Sequence, residues 1–145
     1  MNVWILLIIG LILYKSIKIT NMQLTKNFNL SEFTKNGNDL PIELLGNMKE
    51  VAKNLQVLRD VLEKPISINS GYRRPEYNAK IGGAKNSFHM RGMAADIHVS
   101  GMTPLQVHTI IDILINDGKM KQGGLGLYAT FVHYDIQGTK RRWQQ

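Results

Sequence analysis

The chain has 145 residues, 43% apolar and 20% charged, with a formal net charge of +7 and no cysteine. That is one domain's length with enough apolar side chain to bury a core. The missing cysteine excludes disulfides and thiolate metal sites, so any metal must be held by His, Asp or Glu. The lysines and arginines are scattered, and only Lys140-Arg141-Arg142 forms a run. With no recognition-helix or aromatic-stacking pattern, nucleic acid is not an expected partner. The basic balance reads as a solvated surface or as attraction to an anionic envelope.

Val3 to Tyr14 is almost continuously apolar. The run is short of the roughly 20 residues a spanning helix needs. No lysine or arginine precedes it, Lys15 and Lys18 come after it, and no small-residue cleavage site ends it. Positive-inside logic favours a cytoplasmic side for the domain beyond it. Three readings stay open: a membrane anchor through residues 3–14, a signal-like segment, or an over-long start ahead of Met22. The chain thus divides into an extension with a short linker, residues 1–21, and a folded domain, residues 22–145.

Asn27 to Phe33 is a lead-in in which Ser31 can cap one turn of helix. Pro41, a good first-turn residue, opens a long helix. Its stripe of Leu45, Met48, Ala52, Leu55, Leu58 and Leu62 faces a core, and Lys64-Pro65 stops it. Ile66 to Ser70 alternates as a half-buried strand and delivers Gly71-Tyr72-Arg73. Pro75 to Ile81 forms a short helix ending at Gly82-Gly83, and Ala84 to Arg91 is an irregular loop. Met93 to Val99 is the next strand, with Ala94, Asp96 and His98 on one face and an apolar set on the other. Thr103-Pro104 caps a helix that buries Val107, Ile110, Ile111, Leu114 and Ile115. Two strands close the pattern, Leu125 to Tyr128 and Phe131 to Ile136, the second placing Phe131, His133 and Asp135 on one face. The predicted architecture is α+β, a small antiparallel sheet with packed helices.

The chemistry gathers in Ser87 to Asp96, where His89 and Asp96 stand seven residues apart. Imidazole and carboxylate are both zinc ligands, and a catalytic zinc site takes three protein ligands. His133 is the best third candidate, with His98, on Asp96's face, as a competitor. The string His-x-x-Gly-x-Ala-x-Asp at His89, Gly92, Ala94 and Asp96 resembles the zinc D-Ala-D-Ala carboxypeptidase family of peptidoglycan peptidases. Ser70-Gly71-Tyr72-Arg73 upstream and His133-x-Asp135 downstream match in order, so the resemblance covers about Met22 to Trp143.

The resemblance implies a Hedgehog/DD-peptidase-like fold. It also implies one Zn2+ held by His89, Asp96 and His133, activating a water to hydrolyse peptidoglycan stem peptides. The type is D-Ala-D-Ala carboxypeptidase or murein endopeptidase. The related Hedgehog signalling domain marks the alternative, a non-catalytic zinc-stabilised binding module of the cell envelope. The implied place is the envelope, or the cytoplasm until release for a phage protein, and the implied state is a monomer. Several branches carry an acid three residues before the last histidine. Here that residue is Thr130, so Asp135 is the candidate base, with orientation of a ligand histidine as its other reading. Arg73 is the expected partner of a substrate carboxylate or of the developing oxyanion. Ser87 either bonds substrate or steadies its loop, and Tyr72 packs.

Overall fold

The computed structural model describes residues 2–145, and for residues 15–20 it describes only the backbone. The extension expected over 1–21 therefore falls partly outside the described residues. Its helix α1 (Val3–Thr20) exposes every side chain from Val3 to Tyr14. Among the described residues no helix is long and apolar enough to cross a membrane.

The folded part begins where the backbone N–H of Leu30 bonds to Met22 O. Helix α2 (Leu30–Phe33) is capped by Asn29 rather than by Ser31. The Asn29 side chain accepts from the Ser31 N–H, while Glu32 reaches back to the Asn29 N–H at 2.8 Å, a reciprocal arrangement that satisfies the free donors of the first turn. Pro41 opens a 3₁₀ turn, Ile42–Leu44, which hands over to α3 (Leu45–Leu62). Met48, Val51, Ala52, Leu55 and Leu58 are the buried stripe of α3, whereas Leu45 and Leu62, at its two ends, are only half-buried. The helix stops at Glu63, in a left-handed conformation ahead of Lys64-Pro65, where proline disfavours helical backbone in the preceding residue.

Strands β1 (Ile66–Ser70), β2 (Ala94–Val99), β3 (Gly124–Leu127), β4 (Val132–Asp135) and β5 (Arg141–Gln144) form one sheet in the order β1-β2-β4-β3-β5. The expected antiparallel pairing holds from β1 through β3, and β5 adds a parallel pair along β3. One face carries Ile66, Ile68, Ala95, Ile97, Leu125, Val132 and Tyr134 into the core with α3 and with α5 (Pro104–Asn116). The other face carries the polar residues, because successive strand side chains alternate between faces. Register lines Ser70, Asp96, His133, Gly126 and Trp143 into one row across all five strands. Ala94 opposite Asp135, and Gly124 opposite Arg141, form the row beside it.

The sheet edge at β1 leads through Gly71 to α4 (Pro75–Lys80), and the loop after it ends in a second 3₁₀ turn, Phe88–Arg91. The stretch expected to be irregular is thus partly helical. Ser87 caps this turn, its Oγ accepting from the His89 N–H at 3.3 Å. Gly92 closes the turn at φ 63°, a conformation that suits a residue without Cβ.

Candidate metal centre

Three side chains meet on the open sheet face. His89 Nε2 lies 3.1 Å from Asp96 Oδ1 and 3.2 Å from His133 Nδ1, and His133 Nδ1 lies 2.9 Å from Asp96 Oδ1. In a tetrahedron with bonds of about 2.0–2.1 Å the ligand atoms stand about 3.3 Å apart. The observed triangle is within a few tenths of an ångström of that, so a small cation fits these residues with little movement.

A backbone carbonyl and a carboxylate fix which ring nitrogens face inward. His89 Nδ1 is 2.7 Å from the Gly71 carbonyl, an acceptor, so Nδ1–H donates and Nε2 turns its lone pair to the cluster. His133 Nε2 is 3.1 Å from Asp135 Oδ2, which leaves Nδ1 facing the cluster in the same way. Partners of this kind orient metal-ligating histidines and set their tautomer.

Electrostatics reflect the packing. Burial lowers the pKa of His89 and keeps the ring neutral. Burial would raise Asp96, but the two histidine rings packed against its Oδ1, His133 first, outweigh it and hold the carboxyl well below its ordinary range. For His133, burial alone would lower the value, yet Asp135 and Asp96 together raise it. Asp135 is depressed despite its burial, through His133 and the Gly124 N–H.

Each residue of Ser70-Gly71-Tyr72-Arg73 has a structural task here. A Cβ on Gly71 would lie 2.5 Å from Phe33 O, so only glycine allows this approach to α2. The Gly71 carbonyl holds His89, and Tyr72 is buried in the core. Arg73 Nε donates to Ser70 Oγ at 2.8 Å and its Nη2 to Asp96 Oδ2 at 2.6 Å. Arg73, Ser87, His89, Asp96 and His133 line a cleft of about 580 Å³. Asp135 does not line it: its carboxylate is fully buried, bonded by His133, by the Gly124 N–H at 2.8 Å and by Arg141 at 3.1 Å. His98 points elsewhere, exposed, with its Nδ1 2.6 Å from Asn69 Oδ1. Thr130 is exposed in the β3–β4 link, outside the cleft.

Sequence patterning placed Phe131 on the face of His133 but missed the other aromatic and basic lining of the cleft: Phe88, Tyr128, Arg141 and Trp143. Tyr128 and Phe131 stack at 4.3 Å, and the Trp143 N–H donates to the Tyr128 hydroxyl at 3.0 Å. The Trp143 ring stands 5.2 Å from that of His133. The glycines of β3 were the available signal. A Cβ on Gly126 would lie 2.4 Å from the Trp143 ring, and one on Gly124 would lie 2.3 Å from Asp135 Oδ2.

The chain is 34% identical over 87 residues to the peptidoglycan L,D-endopeptidase MepK of Escherichia coli K12, covering 55% of this chain and 44% of that protein. It is 33% identical over 98 residues to the probable peptidoglycan L,D-endopeptidase MepK of Haemophilus influenzae, covering 63% and 49%. Over 44 residues it is 48% identical to the zinc D-Ala-D-Ala carboxypeptidase of Streptomyces albus G, covering 30% and 17%. The chain therefore spans less than half the length of these curated relatives. The profile of the family described as Peptidase M15 matches residues 18–135, which includes all three cluster residues, and the chain belongs to that family.

Proposed function

We propose that the chain is a zinc-dependent peptidase that hydrolyses peptidoglycan stem peptides, of the D-Ala-D-Ala carboxypeptidase or murein endopeptidase type. The observation that carries this is the triangle of His89, Asp96 and His133 at the floor of an open, peptide-sized cleft. Family membership and the names of the relatives support the substrate class. Zinc bound there supplies Lewis-acid chemistry, acidifying water and polarising the scissile carbonyl.

The chain's own groups divide the remaining work. His89 and His133 present lone pairs fixed by Gly71 and Asp135. Asp96 gives Oδ1 to the cluster and Oδ2 to Arg73. Arg73, tied to Asp96, suits stabilisation of negative charge developing on the carbonyl oxygen, the kind of preorganised stabilisation that lowers barriers most. Ser87 steadies the turn that carries His89. Asp135 is buried behind His133, which supports its reading as a positioning residue rather than as the base. Among the described residues, Asp96 is the only carboxylate lining the cleft, so no side chain is given the role of general base.

That last observation favours a second reading, the zinc-stabilised envelope-binding module without turnover. In either case the folded domain is residues 22–145 acting as a monomer, and the cell envelope is its place. Residues 3–14, apolar on all sides, then hold it to a membrane surface. Digestion of purified peptidoglycan with the zinc-loaded chain, fragments identified by mass, decides between them. Cleaved stem peptides that vanish on chelation and return with zinc support the peptidase. Stoichiometric zinc with no fragment released would leave only the binding module.

A further inference from the structure

We infer that Arg141, rather than Arg73, anchors a free carboxylate of the peptide bound in the cleft. This inference rests on the cleft being a peptide site, and it names the substrate class as peptides with a carboxylate near the scissile bond. Arg73 has its Nε on Ser70 and its Nη2 on Asp96 Oδ2, so its fork faces the cluster. Arg141 is placed differently. Its guanidinium carbon lies 5.2 Å from the Phe88 ring and 5.5 Å from the Trp143 ring, a cation held between two aromatic faces.

Those two rings flank the cluster. Phe88 directly precedes His89, and Trp143 lies against His133. One Arg141 nitrogen is spent on Asp135, while 49% of the side chain remains exposed on the cleft wall. Asp135 shares its charge with His133 and the Gly124 N–H, so it cannot fully cancel Arg141. Arg91, also over the Phe88 ring at 5.3 Å, adds further positive potential. A rigid, planar, partly exposed guanidinium beside a metal cluster is suited to a carboxylate, which it meets with paired donors. The seat is built for it: residues with a Cβ at Gly124 and Gly126 would push into Asp135, Arg141 and Trp143. Arg141 lies on β5, beyond the last residue matched by the family profile.

Trp143 supplies the readout. The chain has two tryptophans, so Trp4→Phe leaves Trp143 as the sole emitter. The zinc-loaded Trp4→Phe chain is titrated with a short D-alanine-terminated peptide and with its C-terminal amide. The acid binds about ten- to a hundredfold more tightly, as a charge-assisted hydrogen-bonded pair provides. With each variant kept saturated with zinc, Arg141→Gln brings that ratio close to one, and Arg73→Gln leaves most of it. A ratio near one in the Trp4→Phe chain, or a ratio that survives Arg141→Gln, overturns the assignment. Should Arg141→Gln not fold, Arg141→Lys is used, which keeps the charge without the fork: a ratio reduced severalfold supports it and an undiminished ratio overturns it. Because binding is measured rather than turnover, acid preference without hydrolysis refutes only the peptidase reading.

Discussion

At the scale of single residues, burial sets Asp135 where alternation alone does not, against His133 and away from the cleft. Strand periodicity puts it on His133's face, but the Gly124 N–H and Arg141 close around its carboxylate and seal it from the cleft. Read as a positioning residue, it is expected to act on metal affinity. Asp135→Asn is expected to weaken zinc binding about 10- to 100-fold, measured by competition with a chelator. A base would instead leave affinity intact and remove turnover. The pH dependence carries a sign. His133, raised by Asp135 and Asp96, must lose its proton to accept a cation, so zinc affinity drops as pH falls through its raised value. In Asp135→Asn one of the groups raising it is gone, and the drop begins at lower pH.

At the scale of elements, the site depends on three strands and one turn brought into register. β2 and β4 set Asp96 opposite His133, the 3₁₀ turn after Ser87 lifts His89 over them, and β5 lays Trp143 across Gly126. Strand β5 was not visible in the sequence, because Arg141-Arg142-Trp143-Gln144 has neither β-branched residues nor an apolar alternation. Its pairing partner is the glycine-rich β3, whose bare face makes room for the indole. Gly126→Ala introduces a methyl group 2.4 Å from that ring. The expected cost is about 1–3 kcal/mol of stability, the usual range for overpacking, with a shifted Trp143 emission in the Trp4→Phe background. Unchanged melting and emission would show that β5 does not lie on β3.

At the scale of the whole molecule, the helical extension and the sheet domain are expected to answer to different environments. The exposed run from Val3 to Tyr14 contributes no residue to the core cluster, whose first member is Phe28. Residues 22–145 alone are therefore expected to fold with stability within about 0.5 kcal/mol of the full chain, as for surface changes away from the core. In flotation with anionic vesicles the full chain rises and the shortened chain stays behind. Equal flotation of both would assign membrane contact to the basic domain surface instead.

Local pattern was enough to read the longer helices with their apolar stripes and four of the five strands, and the motif resemblance added the identity of the three cluster residues. These are legible because helix and strand periods are local, and because His89 to Asp96 is one short segment leading into one strand. Three further features came only with the folded arrangement. It buried the Asp135 carboxylate against His133 and away from the cleft, tied Arg73 to Asp96, and brought Arg141 and Trp143 to the cleft from a strand added in parallel at the sheet edge. Each depends on pairing between residues far apart in the chain. Such pairing is set by packing and by the space that glycines leave, and no local spacing encodes it.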